Sequence, residues 1–78
     1  MIVVSGEALM DVFAAGSTAT GVMLDARIGG SPLNVATGLA RLAQPVAFFG
    51  AVSQGFLGDR LMQALQAEGI HTGCTVRL

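Results

Sequence analysis

Short apolar runs and one alternating stretch divide the chain into closely spaced elements. The opening IVVS, mostly β-branched and bounded by Gly6, predicts a buried strand. Ala14–Gly21, AAGSTATG, is small and polar and predicts a loop. In VMLDARI, Val22, Leu24, Ala26 and Ile28 share one face, and Met23, Asp25 and Arg27 the other. That alternation predicts an edge strand with one greasy and one wet face.

A helix follows in GGSPLNVATGLARL, Gly29 to Leu42. Ser31 suits a cap and Pro32 the first helical position, where its missing N–H costs nothing. Val35, Leu39 and Leu42 form an i, i+4, i+7 stripe, so the helix is expected from Pro32 to about Ala43. Gly38 within it costs about 1 kcal/mol against Ala, which predicts close packing against a strand. Val46–Val52, VAFFGAV, predicts a strand buried on both faces, with Phe48, Phe49 and Phe56 in the core. A second helix is expected from about Leu57 to Glu68, with Leu57, Leu61 and Leu65 in register and Gly69 as its stop. CTVRL begins a further strand. Buried strands alternating with helices predict an α/β fold, a mostly parallel sheet with helices on both faces.

Composition sharpens this picture. The 78 residues are 53% hydrophobic and only 12% charged, against roughly 25% charged in an ordinary soluble domain. A membrane helix does not explain the excess. Spanning takes about 18 consecutive apolar residues, and the longest run, Pro45–Val52, is far shorter. The N-terminus lacks a basic segment and carries Glu7 and Asp11, unlike a secretory signal. A cytoplasmic location and an interior completed by more chain or by a partner are therefore expected. Net charge is −1 with no basic cluster, which excludes a nucleic-acid or anionic-membrane surface. Cys74 is the only cysteine, so no disulfide or cysteine-based zinc site forms within the chain. It reads as a small buried hydrophobe, and His71 as solvated.

The chemistry concentrates at the mouth of the first helix. A helix N-terminus offers unpaired N–H groups and a partial positive charge, and two glycines admit a ligand close to the backbone. Yet GGSPLN is neither a dinucleotide nor a P-loop fingerprint, and the chain has no lysine nearby. Asn34 offers donors and an acceptor together, and Asp11, just past the first strand, adds an ionised acceptor. This set suits the hydroxyls of a neutral polyol better than an anion. Spacing alone leaves a second reading open, in which Gly29 and Gly30 make a turn, Asn34 solvates a helix end and Asp11 is a loop charge.

GEALMD, GGSPLNVATGLARL and VAFFGAVSQGFLGDRLMQALQAEGIHT, in that order and spacing, resemble the N-terminal part of the ribokinase-like carbohydrate kinases, the phosphofructokinase-B family. GEALMD is nearer to fructokinase-like or 2-keto-3-deoxygluconate-like kinases than to ribokinase proper. The resemblance implies a Rossmann-like (ribokinase-like) fold with a small β lid. Residues 1–78 would be an N-terminal fragment, about the first quarter, with about 14–28 contributing to the lid. It implies that Asp11 and Asn34 hold sugar hydroxyls and that Gly29 and Gly30 let the sugar lie against backbone. ATP and Mg2+ are implied for the full-length kinase, with neither bound by this chain alone.

Ala43 and Ser53 stand where the family usually has Gly, and Gly55 where it usually has Asp. The family's C-terminal Gly-Ala-Gly-Asp segment, which supplies the anion hole and catalytic base, is absent from these residues. Three functions follow as expectations. The first is the sugar-binding portion of an ATP-dependent sugar kinase, inactive by itself and associated with itself or with the rest of its fold. The second is a non-catalytic polyol-binding or assembly fragment. The third, a nucleotide-binding α/β fragment, is disfavoured by the glycine pattern.

Overall fold

A computed structural model describes all residues, Met1–Leu78. The elements are β1 (Ile2–Ser5), β2 (Leu9–Ser17), β3 (Val22–Gly29), α1 (Ser31–Arg41), β4 (Val46–Val52), α2 (Phe56–Ala67) and β5 (Thr75–Arg77). Three strands make a parallel sheet in the order β1-β4-β5, while β2 and β3 form a separate antiparallel hairpin. No helix is long and apolar enough to cross a membrane.

The hairpin corrects the loop expected over Ala14–Gly21. Its first strand runs through Asp11 to Ser17, and only the turn remains, closed by Thr18 N–H to the Gly21 carbonyl at 2.8 Å. LMDVFAAGS hid its strand because apolar side chains fall on both faces and its end is small residues. Pairing with β3 supplies the hydrogen bonds that propensity did not announce. A bulge between Ala14 and Gly16 shifts the register near the tip. The hairpin stands off the body: the radius of gyration is 14.1 Å, against about 11.5 Å for a compact chain of this length. Val22, Leu24 and Ala26, expected on a covered face, are therefore exposed, and only Ile28 packs against the core.

Strand alternation and two helices build that core. Ile2 pairs with Val46 and Val4 with Phe48 in the β1–β4 register. Val46, Phe48 and Val52 point to the face covered by Leu33 and Ala36 of α1 and by Leu61 and Leu65 of α2. Their neighbours point the other way, where Val3 is 58%, Phe49 53% and Val76 50% exposed. Both helices thus lie over one face. The expectation that β4 is buried on both faces fails for most of the strand: on the second face Ala47 is buried, but Phe49 and Ala51 are exposed. Of the phenylalanines assigned to the core only Phe48 belongs; Phe49 and Phe56 are exposed.

The helices also depart from their expected faces. In α1 the buried positions are Leu33 and Ala36, with Leu39 and Ala40 beside them, so Val35 and Leu42 look outward. A methyl group at Gly38 would meet nothing within 4 Å, so no packing offsets that glycine's cost here. Ser31 lies inside the helix and caps nothing; Gly30 holds the cap position at φ 105°. In α2, Leu61 and Leu65 are buried as expected, whereas Leu57 is half exposed.

Both helices end in the same way. Ala43 N–H bonds the Ala40 carbonyl and Gln44 N–H the Leu39 carbonyl; after α2, Gly69 and Ile70 repeat this with Gln66 and Leu65. This double bond pattern requires a left-handed residue just past the helix. Gly69 supplies it at φ 74°, the expected stop, while Ala43 adopts φ 62°. An L-residue there costs about 1–2 kcal/mol, which accounts physically for the glycine usual at position 43. The two helix ends are tied by a forked pair, Arg41 to Glu68 at 2.6 and 3.0 Å. The Arg41 hydrogen bond holds the Glu68 carboxyl below its ordinary range. Past α2, Cys74 is half-buried with Sγ 3.4 Å from the Phe48 carbonyl, and His71 is exposed.

Candidate functional site at the mouth of helix α1

β1, β2 and α1 converge at one end of the sheet, and an open cavity of about 630 Å³ lies between them. Its walls are Gly6, Glu7, Leu9, Asp11, Gly30, Ser31, Pro32 and Asn34. Asp11, Gly30 and Asn34 are thus brought together as the sequence led us to expect. Their placement follows from local structure. Residues 7, 9 and 11 reach the cavity at a spacing of two, the period of an extended chain. Asn34 N–H bonds the Gly30 carbonyl at 2.9 Å, which seats the residue one turn into α1.

The glycines have distinct jobs. A Cβ at Gly30 would sit 2.9 Å from the Glu7 carbonyl oxygen, and the φ of 105° is one that L side chains rarely adopt. Gly30 therefore lets the chain turn from β3 into α1 tight against the Glu7 backbone. Gly29 is buried and does not line the cavity. A Cβ there would collide with Asp11 Oδ2 and lie 3.0 Å from its Cγ. The bare backbone of Gly29 is what allows the Asp11 carboxylate to lie across β3 toward the helix mouth.

The cavity's polar side chains have their bonding capacity free. None of the side-chain hydrogen bonds within the chain involves Glu7, Asp11, Ser31 or Asn34. The lining residues include the acidic Glu7 and Asp11 and no cationic residue, and Pro32 removes one N–H from the first helical turn. Arg27 is opposite Asp11 in the hairpin register but turns toward the tip. Its Nε donates to Asp25 Oδ2 at 2.9 Å and its guanidinium lies 5.5 Å over the Phe13 ring. The site is thus an open pocket rich in acceptors.

Glu7 is the residue that sequence reasoning missed. Its signal was the same two-residue spacing, visible only once the chain leading into Leu9–Ser17 is recognised as extended.

Comparison with known proteins decides the family. Residues 1–78 in full match the pfkB family carbohydrate kinases. The chain belongs to that family. It is 31% identical over 77 residues to a fructokinase of Rhizobium leguminosarum bv. trifolii, covering 97% of this chain and 24% of that protein. A 5-dehydro-2-deoxygluconokinase of Clostridium beijerinckii is 44% identical over 45 residues, 58% of this chain and 13% of that one. In three dimensions the chain resembles the Xylella fastidiosa fructokinase crystallised with bound ATP, with TM-score 0.88 and 33% identity. The match covers 99% of this chain and 25% of the fructokinase. The chain therefore spans a quarter or less of these relatives, and the ribokinase-like α/β assignment holds over nearly its whole length.

Proposed function

We propose that this chain is the sugar-binding N-terminal portion of an ATP-dependent carbohydrate kinase that phosphorylates a sugar hydroxyl. The observation that carries the reading is the convergence of Asp11, Gly30 and Asn34 on one cavity, with the side chains of Asp11 and Asn34 hydrogen-bonded to nothing in the chain. Asp11 accepts from sugar hydroxyls, Asn34 both donates and accepts, and Gly29 keeps the Asp11 carboxylate in place. The hairpin, including residues 14–28, is the β lid beside the sugar.

The residues present do not fit ATP or Mg2+. The acidic residues lining the cavity, Glu7 and Asp11, would repel polyphosphate, and no three metal-ligating side chains come together in the chain. Nucleotide and metal fall to the remainder of the kinase fold, and no chemical step is assigned to these residues. Phosphoryl transfer rests on positioning and charge stabilisation; these residues position one reactant.

The alternative, a non-catalytic polyol-binding or assembly fragment, draws support from the exposed apolar residues Val3, Phe49 and Val76. On either reading the partner of that face is the rest of the kinase fold or a second copy.

A hybrid separates the two. This chain replaces the quarter of the Xylella fastidiosa fructokinase that it superposes on, and ATP turnover is followed with fructose. Fructose-dependent turnover by the hybrid and none by the 78-residue chain is expected. A folded hybrid without turnover would overturn the kinase reading. Turnover by the isolated chain, abolished by Asp11→Ala, would overturn its incompleteness.

A further inference from the structure

We infer that Gly50, which lies outside the cavity, is a positioning residue for the sugar site and acts on it through Gly6 and Pro32. The inference rests on the sugar-site reading above and deepens it by naming what sets the cavity wall in place. β4 carries Val46, Phe48 and Val52 on the face that the helices cover. Gly50 shares that face by strand alternation and leaves a gap in the row. A glycine inside a strand weakens it, and its use there marks the close approach of another backbone. The approaching group is the Gly6 carbonyl oxygen. A Cβ on Gly50 would collide with it and would also lie 2.8 Å from Phe48 Cε2.

The same arrangement repeats one layer further on. Gly6 follows β1, and its N–H donates to the Phe49 carbonyl at 3.1 Å. Its φ of 144° is one that L side chains rarely adopt, and a Cβ on it would stand 2.6 Å from Pro32 Cγ. The Pro32 ring therefore fills the place of a Gly6 side chain. Pro32 opens α1 two residues before Asn34, and both Gly6 and Pro32 line the cavity. β4, the exit of β1 and the mouth of α1 are thus stacked through two missing side chains. An alanine at position 50 would have to push the Gly6 carbonyl back by about 1 Å to reach ordinary contact. Gly6 leads the chain toward Asp11 and carries the Pro32 ring, so the shift reaches both walls of the cavity. A misplacement of about 1 Å can cost about a hundredfold in rate.

The test uses the hybrid kinase, with fructose and ATP each varied. Gly50→Ala is expected to raise the KM for fructose about tenfold and to leave that for ATP unchanged. Pro32→Ala removes the ring from Gly6 without creating a clash. It should fold normally and raise the fructose KM by a smaller factor, about threefold. Leu65→Val, in the core on α2 and outside the stack, should lower the melting temperature with both KM values unchanged. A merely structural Gly50 would behave like Leu65, giving a less stable enzyme with an unaltered fructose KM. If Gly50→Ala does not fold, the Pro32→Ala result decides. If Asp11→Ala impairs fructose use while the Gly50 and Pro32 variants keep the wild-type fructose KM, this inference is overturned and the sugar site stands. If Asp11→Ala is silent as well, both fall.

Discussion

Asp11→Ala and Asn34→Ala, each placed in the hybrid kinase, are expected to lower kcat/KM for fructose by about ten- to a hundredfold or more. The KM for ATP should not change. Both side chains line the same cavity and neither is hydrogen-bonded within the chain. Removing either leaves a sugar hydroxyl buried without its partner, at about 1–3 kcal/mol, and more where the lost group is charged. Asp11→Ala should therefore be the more damaging. Because Asp11 is exposed on the hairpin and Asn34 on α1, neither change should unfold the protein. Steady-state kinetics with both substrates varied provides the check. An unchanged kcat and KM for fructose in both variants would reduce these residues to a loop charge and a solvated helix end.

The isolated chain is expected to sediment as an assembly at low micromolar concentration, well above its 7.9 kDa monomer mass. Two apolar surfaces require it. One is the second sheet face, with Val3, Phe49 and Val76; the other is the hairpin face, where Val12 is 58% and Leu24 67% exposed. Covering a half-exposed Val or Phe contributes about 1 kcal/mol. Two copies meeting through such a surface reach the scale of the ~4–15 kcal/mol that association costs. The outcome is concentration-dependent pairing, not a tight obligate dimer. Analytical ultracentrifugation checks this directly. A folded monomer with a cooperative melt would show that these surfaces are tolerated in water.

Much of this architecture was legible because local chemistry and tertiary packing agree. The β-branched run of β1 forms its strand, although Ile2 and Val3 are exposed where a buried strand was expected, and the register of Leu61 with Leu65 survives unchanged in the fold. So does the Gly69 stop, because a left-handed helix exit has an unmistakable residue preference. The failures share a cause. Position along the chain does not reveal which face finds cover. Phe49 and Phe56 look like core residues but face outward, since no element among these residues covers them. Val35 and Leu42 fit a helical stripe, but Leu33 and Ala36 face the sheet instead. In Leu9–Ser17 the strand is specified by its partner, so the letters of its second half, Ala14–Ser17, announced a loop.

The site was legible where backbone geometry restricts the residue. Gly30 marks a turn only glycine makes comfortably, and Asn34 follows from the helix that starts beside it. Gly29 was recognised as important, but its contact is with the Asp11 carboxylate, a cross-strand relation invisible before the hairpin register is known. Glu7 escaped for the same reason.

A crystal structure of the hybrid kinase with fructose bound is the most direct test of the sugar-site claim. The expected result places sugar hydroxyl oxygens about 2.6–3.2 Å from the Asp11 carboxylate and the Asn34 amide, against the bare backbone at Gly30. Fructose seated in another cleft, with Asp11 and Asn34 facing solvent, would contradict it.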